Sequence, residues 1–173
     1  MLAFKGVPAV YIHSLLGTEN DVEAVNSTGQ KRAINRRKWE VGEVETLLDD
    51  PASSHARIFN KLTSWIRIRS RHVAFHPGAD MHPVDIAPGV FAFLRVSRTG
   101  AEQVLCLFNM TGQEQSLPWQ ECFPRVKKRN SARELLSGKT VRPQSGTFTL
   151  QPFHAAWLLV SGGRSGNGTV RES

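Results

Sequence analysis

Two carboxyl side chains spaced by two, Asp21 and Glu23, stand in the polar run Asn20-Asp21-Val22-Glu23, with His13 before them and Arg36 after. A carboxyl pair is the raw material of general acid–base chemistry. Two apart in a loop, these carboxyls are better suited to holding the loop, by backbone hydrogen bonds or by pairing with Arg32 or Arg37. Asn20 and Asn35 read as scaffolding of the same loop. The other histidines, His55, His72, His76, His82 and His154, show no metal-ligand spacing with Cys or Asp. No Gly-rich phosphate loop of the P-loop or dinucleotide type is present. The expectation is therefore a chain with no metal and no cofactor. The Asn-x-Ser/Thr triplets at Asn26, Asn109 and Asn167 read as chance matches, because no secretory signal accompanies them.

The elements that would position these residues fall in two parts. Residues 1–75 read as α/β and residues 76–160 as all-β, with 161–173 a Gly, Ser and Arg-rich tail expected to be disordered. Val7-Pro8-Ala9-Val10-Tyr11-Ile12 is almost wholly apolar, as in a parallel strand buried on both faces. Residues 17–38 form a long polar connection, and such loops are functional or disordered. Glu43, Val44, Leu47 and Leu48 predict a short helix. Asp50-Pro51 then predicts a new start, with Asp50 as N-cap. Beyond it Ile58, Phe59, Leu62, Trp65 and Ile66 share one helical face, and Arg67, Arg69 and Arg71 suit its C-terminal end. The punctuation His76-Pro77-Gly78-Ala79-Asp80 predicts a domain boundary. Short strands are expected at 90–96, 103–108, 147–150 and 155–160, and a turn at Leu135-Leu136-Ser137-Gly138. Together they make an antiparallel sandwich.

Bulk properties exclude several classes. The chain has 173 residues, 40% hydrophobic and 21% charged, enough for a packed core. No apolar run reaches 18 residues, so no membrane span is expected. The N-terminus lacks the pattern of a secretory signal. Two cysteines give no disulfide framework, and Cys106, in Val104-Leu105-Cys106-Leu107, reads as a buried thiol. A cytoplasmic location follows as the default. The net charge is +7, yet the basic residues are dispersed in clusters such as Arg67-Arg69-Arg71 and Lys127-Lys128-Arg129. They read as solvated surface, and no nucleic-acid motif accompanies them.

One buried parallel strand cannot stand alone, because its faces and edges need partners. The order strand, long loop, helix, sandwich fits the last βα unit of a (β/α)8 TIM barrel followed by an antiparallel β-sandwich. A barrel takes about 250 residues. The missing neighbours are expected from outside this chain or from a lost N-terminal part, and without them the N-terminal third is expected to be poorly soluble or partly unfolded.

The stretch Gly6-Val7-Pro8-Ala9-Val10-Tyr11-Ile12-His13-Ser14 resembles the eighth barrel strand of the sucrose phosphorylases and their relatives, in the α-amylase clan. Asn20-Asp21-x-Glu23, Thr28-Gly29 and Ala33-Ile34-Asn35-Arg36-Arg37-Lys38-Trp39 resemble the loop that follows it there. The resemblance weakens through the long helix and is faint in the sandwich, where Leu150-x-Pro152-Phe153 through Trp157-Leu158 looks like a last strand.

The resemblance implies a retaining enzyme. One carboxylate attacks the anomeric carbon, a second carboxyl protonates the leaving oxygen, and inorganic phosphate takes the glucosyl group. Those carboxylates lie on earlier barrel strands in the family, and no residue here matches them. The chain is expected to be a C-terminal fragment, inactive alone, contributing one wall of the site for sucrose or a related α-glucoside. Arg36 matches the arginine that holds the non-reacting glucosyl hydroxyls. Its rigid donors could grip sugar hydroxyls or, in a plainer role, a partner carboxylate. His13, at the strand end, is a second candidate contact, with a structural hydrogen bond as its plainer role. The competing reading is a stand-alone sandwich that binds carbohydrate or a partner, with Trp119 and Phe123 as its exposed aromatics or, equally, as core.

Overall fold

The computed structural model describes residues 1–123 and 130–161. The expected disorder of the tail and the basic cluster Lys127-Lys128-Arg129 fall almost wholly outside those residues. The described chain forms two compact units. One comprises Met1, Ala3–Val7 and the residues from Ile68 onward, the other Leu2 and Pro8–Arg67. The division falls at 67/68, inside a helix, whereas the punctuation in the sequence points to 76–80.

The first unit is an antiparallel β domain. Its strands are β1 (Asp80–Pro83), β2 (Val90–Val96), β3 (Gln103–Asn109), β4 (Gln115–Pro118), β5 (Ala132–Glu134), β6 (Thr140–Val141), β7 (Thr147–Leu150) and β8 (Ala155–Ser161). Six of them form one sheet in the order β1-β2-β3-β8-β5-β6, and β4 pairs with β7 in a second. In the central register Ala92 faces Leu107 and Leu107 faces Ala156, while Phe93 faces Cys106 and Cys106 faces Trp157. Period-two alternation therefore sends two sets of side chains to opposite faces. The first set, with Leu105 and Leu158, packs on Leu117, Leu150, Trp119 and Phe123. On the second face Trp157 meets Phe75 at 4.6 Å and Phe93 meets Phe4 at 5.2 Å. Burial on both faces is why β3 and β8 read as unbroken apolar runs. Trp119 and Phe123 are 1% and 2% exposed, so they are core and form no sugar platform.

Two arginines hold the N-terminal segment to this unit. Arg95 is 0% exposed, and its guanidinium donates to the carbonyl oxygens of Ala3 at 2.9 Å and His76 at 3.0 Å. Arg69 donates to Phe4 O at 3.2 Å and Gly6 O at 2.7 Å. Burial first, and the nearby Arg69 second, push the Arg95 pKa below its ordinary value.

The second unit is helical: α1 (Ile12–Leu15), α2 (Val22–Thr28), α3 (Val41–Asp49) and most of α4 (Ser54–Arg71), with a 3-10 turn over Lys31–Asn35. Three expectations are corrected here. Residues 7–12 are not a strand; they carry no ladder pairing, and the chain enters α1 at Ile12. An isolated parallel strand has nothing to pair with, and the apolar run alone cannot supply the partner. Residues 17–38 are not irregular, since α2 and the 3-10 turn occupy most of them. Asp50 does not cap the long helix. Its carboxyl accepts from Ala52 N in a preceding turn, and Ser53 Oγ accepts from His55 N at 3.1 Å at the start of α4.

Candidate functional site

The candidate residues lie in the second unit, between α1 and α3. Asp21 is the N-cap of α2, its carboxyl accepting from Ala24 N at 2.8 Å. This leaves one orphan N–H of the first turn satisfied. Glu23 sits in that first turn, exposed, where an acidic side chain suits the helix dipole. Asn20 contributes its carbonyl, which accepts from Val22 N. Gly29 ends α2 in the left-handed region, at φ 67°, a conformation that favours glycine. The 3-10 turn then brings the chain back, and Asp21 N donates to Ile34 O at 2.8 Å.

Arg36 follows as the C-cap of the 3-10 turn, with its main-chain N–H on Ala33 O. Its side chain is exposed, and it has no hydrogen-bond or ion-pair partner among the described residues. Asn35 also acts through its carbonyl, which accepts from the Tyr11 hydroxyl at 2.9 Å. Arg37 is spoken for: it pairs with Glu43 and stacks 3.9 Å over the Trp39 ring.

His13 is half-buried in a side-chain chain that spacing did not announce. Trp39 Nε1–H donates to Thr18 Oγ1 at 3.0 Å, and His13 Nδ1 lies 3.2 Å from the same oxygen. His55 Nδ1 lies 2.6 Å from Leu16 O and its ring stands edge-on to Trp39 at 5.4 Å. Gly17 makes the turn at φ +65°, where an added Cβ would lie 2.6 Å from Ile58 Cδ1. Thr18, Trp39 and His55 are thus the supporting residues that the sequence reading left without a role.

The arrangement links residues 11–13, 18, 34–35 and 39 and leaves Arg36 as a presented cation. It does not join Asp21 and Glu23 into an acid–base pair, because the first is used as a cap. Among the described residues no group of three or more His, Cys, Asp or Glu side chains is placed to hold a metal. No described helix is long and apolar enough to cross a membrane.

Residues 81–157 match the family described as maltogenic amylase, C-terminal domain. The chain is 35% identical to the glucosylglycerate phosphorylase of Allomeiothermus silvanus over 159 residues, which are 92% of this chain and 25% of that protein. It is 38% identical to the sucrose phosphorylase of Agrobacterium vitis over 71 residues, 41% of this chain and 13% of the relative. The trehalose-6-phosphate hydrolase of Bacillus licheniformis superposes with a TM-score of 0.58 at 19% identity, covering 93% of this chain and 37% of that one, a likeness of fold alone. The chain spans about a quarter of the length of the first of these relatives. Over most of its length the chain is therefore similar to a part of the glucosylglycerate phosphorylases, over a shorter stretch to the sucrose phosphorylases, and its residues 81–157 match the maltogenic amylase C-terminal domain family.

Proposed function

We propose that this chain forms one wall of the glucosyl site of a retaining phosphorylase that acts on sucrose, glucosylglycerate or a similar α-glucoside. Residues 1–75 are then the last βα unit of a (β/α)8 barrel, and the β domain is appended to it. The observation that carries the reading is Arg36, an exposed guanidinium without a partner among the described residues, at the C-cap of a turn whose carbonyls at 33, 34 and 35 each accept a hydrogen bond. A cation presented in this way can hold the sugar hydroxyls away from the reacting carbon. His13, half-buried beside Thr18, is a second contact on the same wall. The attacking carboxylate and the acid belong to a part of the enzyme that these residues do not contain. There the nucleophile forms a glucosyl ester as the leaving oxygen takes its proton, and inorganic phosphate displaces the carboxylate to give glucose 1-phosphate.

The make-up of the second unit supports the same reading. Among the buried hydrophobic residues only Leu2, Leu16 and Ala56 belong to it, whereas Tyr11, Ile12, Val22, Val41 and Ile58 are exposed. A unit so poor in core is what one segment of a larger barrel would look like. The cysteines are free, which suits a cytoplasmic enzyme.

The test replaces the matching segment of the Allomeiothermus silvanus phosphorylase with this chain. The chimera is expected to release glucose 1-phosphate from glucosylglycerate and phosphate, and the lone chain to release none. Arg36→Ala in the chimera should lower kcat/KM on the order of a hundredfold, with Arg36→Lys between. Activity of the lone chain, or an Arg36→Ala chimera as active as its parent, would overturn the proposal.

A further inference from the structure

Three successive carbonyl oxygens before Arg36 are taken by three different donors. Ala33 O accepts from Arg36 N at 3.1 Å, Ile34 O from Asp21 N at 2.8 Å, and Asn35 O from the Tyr11 hydroxyl at 2.9 Å. Two of these donors are main chain, one from the C-cap of the turn itself and one from the N-cap of α2. The third is a side chain, reaching across 24 residues to the peptide that leads into Arg36. Tyr11 is 49% exposed, so its ring is not held by burial as a core residue would be. Its ring does lie 5.1 Å from that of His13, the other candidate contact. After Arg36, the chain is gripped again by Arg37 on Trp39 and Glu43.

From this geometry we infer that Tyr11 is a positioning residue: its hydroxyl fixes the Asn35 peptide and so sets the direction from which Arg36 leaves the turn. The inference rests on the glucosyl-site reading of Arg36. Pinning the peptide before a flexible cation removes backbone freedom that ligand binding would otherwise have to remove. The residue therefore acts on substrate affinity through Arg36, and touches no substrate itself.

The first test uses the whole chain. Tyr11 is its one tyrosine, so the tyrosine Raman doublet reports this hydroxyl alone. The doublet is expected to show a phenol that donates strongly. Tyr11→Phe should speed amide exchange at Arg36, whose N–H is held by Ala33 O, about fivefold, the loss of one ordinary hydrogen bond, with exchange in β3 unchanged. A doublet of a freely hydrated phenol, or unaltered exchange at Arg36, overturns the tether. The second test uses the chimera described above. Tyr11→Phe should raise KM about tenfold and leave kcat nearly intact, and it should add nothing in an Arg36→Ala background. An equal loss in that background shows that Tyr11 does not act through Arg36, and overturns the inference. If Arg36→Ala itself leaves kcat/KM unchanged, the glucosyl-site reading and this inference fall together, and the exchange data tell that failure apart from the failure of the tether.

Discussion

Glu134 is 5% exposed, and both of its carboxyl oxygens accept: Leu136 N and Trp157 N donate to Oε1, and Ser137 N to Oε2. One side chain thereby satisfies the main chain of the turn after β5 and of β8, beside which β5 lies. One buried N–H, of Trp157, and two part-buried ones, of Leu136 and Ser137, would lose their acceptor together if it were removed. Glu134→Ala is expected to cost about 3 kcal/mol, read as a lower urea midpoint, and Glu134→Gln less, because one acceptor oxygen remains. An unchanged midpoint in Glu134→Ala would mean that water replaces the carboxyl at no cost. At this scale the sequence was legible only where a motif carried the information. Arg36 and Asn35 stand in a run that resembles a family loop. Thr18, Trp39 and His55 are joined to residues as far as 39 positions away, and no local spacing encodes such a pairing. Asp50 and Ser53 show a finer limit. Both are good caps, and the choice between them was made by the turn at Pro51, which the propensities alone leave undecided.

Among the elements, those with a strong period were legible. The helix α4 shows its apolar face at the expected spacing, and β2, β3, β7 and β8 fall where apolar runs meet turn residues. The short edge strands β1 and β6 did not announce themselves: β1 contains Asp80, His82 and Pro83, and β6 is two residues long. The segment 7–12 is the opposite case, a strand pattern without a strand. Its amides have no ladder to protect them in this chain, and Val7 is 82% exposed. Amide exchange across 7–12 is therefore expected to be fast, close to that of an open loop, while Leu105 and Leu107 in β3 exchange only on unfolding. Slow exchange across 7–12 in the monomeric chain would mean that the segment has found a partner strand, contrary to the missing-barrel reading.

For the molecule as a whole, the two units differ in what holds them. The β domain contains nearly all of the buried hydrophobic residues, including both cysteines, and burial raises the pKa of each thiol above its ordinary value. The helical unit has three. Heating is accordingly expected to melt the helices first and the sheet later. The cysteines supply the readout: Cys106 and Cys122 should resist a thiol reagent through the loss of helical circular dichroism and react only in the second transition. Coincident loss of helix and exposure of thiols would show a single cooperative body. A likeness to larger enzymes was readable in residues 6–39 long before any fold was in view. The extent of the β domain was less so, because its second face is completed by residues from far along the chain.

That last feature governs the order in which the molecule can be completed on the ribosome. The carbonyl groups of the first half-dozen residues emerge early and wait for their donors. Arg69 arrives first and takes Phe4 and Gly6, across 65 and 63 positions. Arg95, 92 positions behind Ala3, arrives last. At about 5–20 residues per second, that interval is about 5–18 s. For those seconds the nascent chain carries Phe4 and its neighbours uncovered, and a chaperone that binds short apolar stretches near the tunnel exit has its opportunity then.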